Sequence, residues 1–412
     1  MLDVLDVFGR ITVHRNHVDN VVPLKAPAGA LPAAAQVVIL GGGIMGTSIA
    51  YHLAEAGVRN VVLIERNSLG SGSSAKPLGG VRATFSDPGN IKLGHRSLEA
   101  FERFGEKFRT DIGLHQVGYL FLCRNEAEVL QVEDSTHIQN RLGGSSRMLT
   151  PEEAQEINPF LEPKALLAAS YSPRDGFAQP SKVVKAYAEA AQELGVTICQ
   201  DTEVLDIDAS GDAVQAVHTN RGSIRTSTVI CAAGAWSTRL GAMAGVHLPI
   251  QAVRRQIGMT PQLSTPFPTV PFTLDLSTTL YFHNYLNGML LGISNQDQEP
   301  GFCREFDYQW LPAFNRAAEV VAPALAHQEL DVGWAGLYEN TPDHNAMIGS
   351  SDTVHGFMYA TGFSGHGFLQ GPAVGELVRD MYLGRESFMD PEPFSAARFA
   401  GELSPLREVH II

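Results

Sequence analysis

Short apolar runs alternate with amphipathic stretches near the start of the chain. Val37 to Leu40 and Val61 to Ile64 are four-residue apolar runs, which are typical of buried parallel strands. Between them, Ile44 to Ala56 has the pattern of a helix, and Gly57 suits the position just after its end. This order predicts a βαβ unit of about 30 residues.

The same patterns predict further elements downstream. Helices are predicted at Asn90 to Phe108, at Ser181 to Leu194 with Ser181 as the N-cap, and at Tyr308 to Val321. A last helix is predicted to follow the glycine-rich turn after Ala360 and to end at Met381. Strands are predicted at Gly118 to Cys123, from Leu166, at Val229 to Gly234, and at Met358 to Ala360. Residues 250–300 are predicted to be rich in strands, with a hairpin at Asn287-Gly288.

The length of 412 residues predicts two to three domains. Residues 1–35 have apolar residues at helical spacing (Leu2, Leu5, Phe8) and then three prolines. We interpret them as an arm that packs on its own subunit, and a membrane-binding or partner-binding helix is the alternative. The predicted division is an arm at 1–35, one discontinuous domain at 36–110, 165–250 and 333–390, a second domain at 111–164 and 251–332, and a tail at 391–412.

Composition narrows the class of protein. The net charge of −14 excludes nucleic acid as the main partner, because a phosphate backbone requires a basic surface. The four cysteines form no CxxC pair, which favours reduced thiols in a cytoplasmic protein and predicts no metal site. Asp3 and Asp6 do not suit a secretory signal, and no apolar run of about 18 residues predicts a transmembrane segment.

Glycines are concentrated in two places. The chain has 40 glycines, whereas average usage would give about 29. Residues 41–80 hold nine of them and residues 356–375 hold six. Glycine clusters of this kind occur where backbone must approach a ligand closely.

The first cluster contains a dinucleotide-binding motif. Gly41 to Gly46 fits GxGxxG, follows a buried strand and opens a helix, and Glu65 ends the next strand 19 residues after Gly46. In such a motif the glycines allow a tight turn and close approach to a diphosphate. The helix N-terminus donates N–H groups to the diphosphate, and the acidic residue accepts from a ribose hydroxyl.

Further motifs follow in a recognisable order. They are Leu69 to Ser74, Pro77 to Arg82, Asp175 to Pro180, Thr202 to Val204, Cys231 to Ser237 and Ala360 to Leu369. Over about residues 36–395, this order resembles the flavoprotein family of D-amino acid oxidase, glycine oxidase and sarcosine oxidase. The likeness is greatest to the branch of sarcosine oxidase and proline dehydrogenase β-subunits.

The resemblance implies an α/β fold with two domains: a discontinuous Rossmann-like FAD-binding domain at 36–110, 165–250 and 333–390, and a β-rich substrate domain at 111–164 and 251–332. It also implies a set of residues along the FAD. They are Gly41, Gly43, Ile44, Met45, Gly46, Glu65, Arg66, Ser73, Gly79, Gly80, Val81, Arg82, Val204, Ala233, Gly234, Trp236, Gly365, His366, Gly367, Phe368 and Leu369.

Departures from the family pattern are also informative. Gly336 stands where covalent-flavin members have a cysteine, so we expect non-covalent FAD. Tyr338 stands where many relatives have an arginine that binds the substrate carboxylate. This implies that the carboxylate clamp of those relatives is absent here, or that Arg82, Arg254, Arg255 or His283 forms it instead. Leu369 and Leu290 stand in place of two lysines of sarcosine oxidases. The lysine missing at Leu290 assists oxygen reduction in those enzymes, so its absence favours a dehydrogenase that passes electrons to a partner, or an oxidase that is slow or assisted differently.

Five residues are candidates for the catalytic site: Tyr338, His283, His366, Tyr281 and Arg82. Each has a structural alternative, since a histidine in a turn or a tyrosine in a strand also serves packing. Asp343 is interpreted as a structural cap of the Thr-Pro-Asp turn.

The expected activity is oxidation of an amine, a secondary or N-alkyl amino acid of the sarcosine or glycine-derivative type, to an imine that hydrolyses. Electrons would pass to O2 or to an electron-accepting partner. The pattern is compatible with a homo-oligomer or a hetero-oligomer. One alternative is a subunit of a proline-type dehydrogenase. The other is a non-catalytic flavoprotein that acts as an assembly factor.

Overall fold

A computed structural model describes residues 31–74, 76, 78–401 and 408. The helical pattern at Leu2, Leu5 and Phe8 therefore lies outside the described residues. No described helix has the length and apolar character needed to cross a membrane. No group of three or more described His, Cys, Asp or Glu side chains is arranged to hold a metal ion.

Strands and helices alternate along the described chain. The strands are β1 Val37–Leu40, β2 Val61–Ile64, β3 Gly80–Val81, β4 Tyr119–Cys123, β5 Arg147–Leu149, β6 Ala168–Ser172, β7 Gly176–Phe177, β8 Thr197–Cys199, β9 Val204–Asp208, β10 Ala216–Thr219, β11 Gly222–Arg225, β12 Val229–Cys231, β13 Gln251–Met259, β14 Phe272–Asp275, β15 Leu280–Tyr285, β16 Gly288–Ile293, β17 Val332–Asn340, β18 Met347–Ser350 and β19 Phe357–Thr361. The α-helices are α1 Ile44–Glu55, α2 Pro88–Glu102, α3 Phe104–Phe108, α4 Glu126–Arg141, α5 Pro151–Ile157, α6 Pro180–Glu193, α7 Ser237–Met243, α8 Leu311–Val321 and α9 Gly367–Leu383.

A six-stranded sheet carries the predicted βαβ unit. Its order is β18-β19-β12-β1-β2-β8, with β18 antiparallel to β19 and the other pairs parallel. All residues of β1 and β2 are buried, because helices α1, α6 and α9 cover one face and the β9–β11 meander covers the other. This confirms the predicted α/β fold with a Rossmann-like arrangement.

An eight-stranded, mostly antiparallel sheet forms the other half of the molecule. Its order is β17-β13-β16-β15-β14-β4-β6-β5, and helices α5 and α8 pack on one face. Hydrogen bonding assigns β6 and β17 to this sheet, whereas the expected cofactor segments 165–250 and 333–390 include them. The chain thus changes sheets at other points than the expected boundaries.

Three local predictions differ from the structure in detail. The helix predicted from Asn90 to Phe108 is two helices that meet at Arg103. Ser181 is not the N-cap of α6, because Pro180 takes the first turn, a position that proline favours, and Gln179 precedes it. The predicted hairpin is present, but its two-residue turn is Leu286-Asn287, since Tyr285 and Gly288 still pair.

Candidate functional site

The glycine turn between β1 and α1 has no room for side chains. Gly41 has φ of +113°, and a Cβ there would lie 2.4 Å from the Ala232 carbonyl oxygen. A Cβ at Gly46 would lie 1.9 Å from the Gly41 oxygen, so Gly46 lets α1 pack close to the turn. The turn thus brings the N-terminus of α1 to the carboxyl edge of the six-stranded sheet, the usual place for a diphosphate.

Ser74 contacts this helix N-terminus. The Ile44 amide donates to Ser74 Oγ at 2.8 Å, and a Cβ at Gly43 would lie 2.9 Å from the same oxygen. A serine hydroxyl that accepts from an amide can still donate its own proton to a phosphate oxygen. The predicted Ser73 instead donates to the Leu337 carbonyl at 2.6 Å and so ties the loop to β17. Ser74 was not among the predicted cofactor residues, although it ends the motif from Leu69 to Ser74.

Glu65 is held at the same edge by backbone amides. Its Oε2 accepts from Gly42 N and its Oε1 from Asn67 N, both at 2.8 Å. Burial raises the pKa of Glu65, while these amides and neighbouring Arg66 act in the opposite direction. The carboxyl group therefore has fixed acceptors beside the glycine turn.

A single long cleft joins the two sheets along this edge. It measures about 1550 Å³ including the solvent at its mouth. Most of the residues predicted to bind cofactor or substrate line it: Gly41, Gly43, Ile44, Met45, Glu65, Arg66, Ser73, Val204, Ala233, Gly234, Trp236, Tyr281, Tyr338, Gly365, Gly367 and Phe368. At one end of the α9 helix, Gly365 to Phe368 bring amide groups to the cleft.

Other predicted residues lie behind this lining: Gly46, Gly79, Gly80, Val81, Arg82, His283, His366 and Leu369. Gly79 has φ of +78° and abuts the Ala178 carbonyl, while Gly80 and Val81 form β3 and pair with β7. Leu369 packs against Phe85 and Ile91 in a separate apolar cluster.

Arg82 and His366 form a buried pair. Arg82 Nη2 lies 3.2 Å from His366 Nε2, and the guanidinium also donates to the Thr84 carbonyl and covers the Phe85 ring. Both side chains are buried. His366 directly precedes α9, so the pair packs against the start of this helix on the side away from the cleft lining.

His283 is part of the sheet packing. Its ring lies 4.5 Å from that of Phe177 and 4.8 Å from that of Phe272, and both ring nitrogens face carbonyl oxygens, of Asn284 and Leu78. Burial lowers the pKa of His283 to about 4, while the contacts with the two carbonyl groups act in the opposite direction. Tyr281 is on the same face of β15, two residues earlier, and does reach the cleft.

Arg255 is the one member of the predicted clamp set that lines the cleft, among its described residues. Its Nη1 donates to the Arg254 and Asn295 carbonyls, at 3.1 and 3.4 Å, and its buried Nε has no hydrogen-bond partner. Arg254 instead forms an ion pair with Asp307 at 2.8 Å. The neighbours of Arg255 in the cleft include Ile257, Tyr281 and Tyr338, so an anion there would meet a guanidinium among aromatic rings.

Glu339 also lines the cleft and was not predicted. Its Oε1 accepts from Phe363 N at 3.3 Å, and its Oε2 faces the Thr361 hydroxyl at 3.5 Å. Burial raises the pKa of this carboxyl group to about 7. The only sequence signal was a charged residue directly after Tyr338 in an otherwise uncharged strand.

The described cleft lining contains neither cysteine nor histidine, the usual residues for a covalent flavin link. Gly336 is at the expected cysteine position, and a Cβ there would lie 2.9 Å from Lys76 Cβ. The volume, the glycine turn and the donors along the cleft together fit an extended dinucleotide such as FAD.

Asp343 has the structural role that the sequence indicated. It accepts from the Asn345 amide and the Thr341 hydroxyl, and it forms a bidentate ion pair with buried Arg398, at 2.7 and 3.1 Å. This pair ties the segment after β17 to the C-terminal part of the described chain.

Comparison with known proteins agrees with this geometry. A family model described as DAO, FAD dependent oxidoreductase, matches residues 36–381. The 4-methylaminobutanoate oxidase (formaldehyde-forming) of Paenarthrobacter nicotinovorans is 28% identical over 382 residues; the match covers 90% of this chain but only 46% of that protein. The glycine oxidase of Geobacillus kaustophilus (strain HTA426) is 31% identical, over 89% of this chain and 98% of that one. The crystal structure of L-proline dehydrogenase from P. horikoshii has a TM-score of 0.85 and 33% identity, over 91% of this chain and all of that one.

Proposed function

The chain belongs to the DAO family of FAD-dependent oxidoreductases, and from that premise we propose that it oxidises the C–N bond of a secondary or N-alkyl amino acid to an imine, which water hydrolyses. Its cofactor is FAD. When bound, FAD supplies the two-electron oxidation that amino acid side chains cannot perform.

The main support for this proposal is the position of Arg255 in the cleft lining. Its side chain is partly exposed, lines the cleft and forms no ion pair with a described Asp or Glu, so the guanidinium would pair with a substrate carboxylate there. The Tyr338 ring lies beside this guanidinium, and its hydroxyl is available as a second donor.

The rest of the pocket suits a neutral amine. Leu78, Ile257 and Tyr281 line the cleft, and Leu78 packs against the apolar clusters that contain the other two residues, so this part of the cleft would keep water from a bound amine. Desolvation disfavours the charged ammonium and lowers the pKa of the amine. A neutral amine retains the lone pair that oxidation of the C–N bond requires.

Two relatives support the choice of a secondary amine. The substrates in their names, 4-methylaminobutanoate and L-proline, are both secondary amines that carry a carboxylate. The chain spans less than half the length of the first of these proteins. Only the chemistry of the region that the two proteins share therefore supports the proposal.

The test is anaerobic reduction of the purified protein with a panel of amines. We expect sarcosine, N-methyl amino acids or L-proline to bleach the flavin band at roughly 450 nm, and the matched amines without a carboxylate to bleach it far more slowly. Lack of bleaching by every secondary and primary amino acid would refute the proposal and leave the assembly-factor alternative.

A dehydrogenase that passes electrons to a partner is the second candidate. Leu290 is 1% exposed in an apolar cluster with Ile257 and Met259, so β16 provides no lysine to assist oxygen reduction. Peroxide yield per turnover separates the two: a stoichiometric yield identifies an oxidase, and a yield near zero with activity on an artificial acceptor identifies a dehydrogenase.

A further inference from the structure

Residues 301–304 form a bridge between the two sheets, which we call the clasp segment. It follows β16 and is anchored where Gly301 N donates to the Ala252 carbonyl of β13 at 2.7 Å. At its other end, Arg304 Nη1 donates to the Ser71 carbonyl at 3.1 Å. Ser71 belongs to the loop after β2 that also carries Ser74. The clasp segment therefore reaches from the eight-stranded sheet across the cleft.

The clasp segment packs against Trp236. The Arg66 guanidinium lies 4.8 Å from its ring centroid, and that of Arg304 lies at 5.7 Å. The Phe302 ring is 5.7 Å away, although Phe302 is 56% exposed. Cation–π attraction to tryptophan holds both guanidinium groups at one end of the cleft.

The loop at residues 71–74 connects Trp236 and Arg304 to the N-terminus of α1, where a diphosphate is expected. A Cβ at Gly72 would lie 3.5 Å from the Trp236 ring, and Ser74 Oγ accepts from the Ile44 amide. Another lining arginine, Arg239, is paired with Glu203 at 3.6 Å. Arg304, by contrast, donates to a backbone carbonyl, and a guanidinium fork matches phosphate oxygens well.

We propose that the clasp segment closes over the ADP half of the bound cofactor, and that Arg304 retains the cofactor by pairing with its diphosphate. Phe302 and Trp236 would cover the mouth of the cleft. The proposal rests on FAD as the cofactor and is independent of which amine is oxidised. A failed amine screen would leave it standing, and its own failure would leave the amine proposal standing.

The test is the rate of FAD release, followed as flavin fluorescence after dilution of the holoprotein. Arg304→Ala should release FAD about tenfold faster, the effect of losing one charge-assisted hydrogen bond at an exposed site. Arg316→Ala is the matched control, because Arg316 is an arginine of α8 outside the cleft lining. Added salt should speed release from the wild type more than from Arg304→Ala.

A second measurement localises the contact. ADP, which lacks the flavin ring, is titrated into apoprotein by calorimetry. Arg304→Ala should weaken ADP and FAD by the same factor. Equal release from Arg304→Ala and wild type, or an unchanged affinity for ADP, would overturn the proposal. If Arg304→Ala does not fold, Arg304→Lys and Phe302→Ala decide by the same readouts, with faster release expected for both.

Discussion

The guanidinium carbon of Arg255 lies 5.4 Å from the centroid of the Tyr338 ring. Arg255 pairs with Gly336, and Val253 pairs with Tyr338, across strands β13 and β17. Opposed residues of an antiparallel pair share a face. Because Gly336 has no side chain, Arg255 and Tyr338 meet diagonally on the cleft side of the sheet.

This relationship predicts the effect of Arg255→Gln. The KM for an amino acid substrate should rise about a hundredfold, because a bidentate ionic contact would be lost. A substrate analogue without a carboxylate should show almost no change. Arg254→Gln is the matched control: loss of the Asp307 ion pair should lower the melting temperature and leave KM unchanged. Steady-state kinetics with both amines measures this, and equal effects on both would contradict the assignment.

Gly41→Ala should abolish FAD binding. The new Cβ would meet the Ala232 carbonyl at 2.4 Å in addition to the strain of φ at +113°, so the expected cost is on the order of 3 kcal/mol of folding free energy. Gly211→Ala carries a similar strain, with φ of +69°, but open space around the Cβ, and should cost about 1 kcal/mol. Urea unfolding and flavin absorbance distinguish the two variants.

Glu339 predicts a pH dependence of stability in the apoprotein. Its pKa is raised from 4.5 to about 7 in the folded state, so the folded state binds the proton more tightly than the unfolded state. Stability from this group is therefore present at low pH and is lost as pH rises from about 4.5 through 7.

Glu339→Gln removes this dependence. Between pH 5 and pH 8 the variant should gain stability relative to wild type by on the order of 1–2 kcal/mol, less than the full shift because water enters from the cleft. Urea unfolding at the two pH values measures the gain. Glu386→Gln, at an exposed position, is the control and should show no such change. A constant difference between Glu339→Gln and wild type at both pH values would contradict the raised pKa.

Arg398→Met should be strongly destabilising. The Arg398 side chain is fully buried, and its removal leaves Asp343 without its ionic partner, at an expected cost of about 3–5 kcal/mol. Arg96→Met removes an ion pair with Glu376 of similar length, 2.7 Å, but at a half-exposed position, and should cost at most about 1 kcal/mol. Thermal or urea unfolding gives both values, and similar costs would show that burial does not govern the Arg398 pair.

Local patterns were sufficient for the first βαβ unit and the glycine turn. The apolar runs at β1 and β2 are short, β1 leads directly into Gly41, and Gly41 must be glycine because no other residue fits its conformation and surroundings. These features depend on residues that are adjacent in the sequence. For the same reason the order of the motifs along the chain was enough to predict an FAD-binding fold and the family.

The roles of individual side chains depended on partners far away in the chain. Ser73 and Ser74 are adjacent, yet one bonds Leu337 and the other Ile44. Arg254 and Arg255 are adjacent, yet only Arg255 lines the cleft, because successive residues of a strand point to opposite faces.

The sequence by itself therefore determined the βαβ unit and the glycine turn, because backbone conformation and apolar periodicity are local properties, and its resemblance to a flavoprotein family implied the fold class and FAD. The tertiary structure decided that Arg255, Glu339 and Arg304 reach the cleft while His283 and Arg82 lie behind it. For Arg255, Glu339 and His283, that outcome depends on the register of strands β13, β15 and β17, which the pairing with neighbouring strands sets.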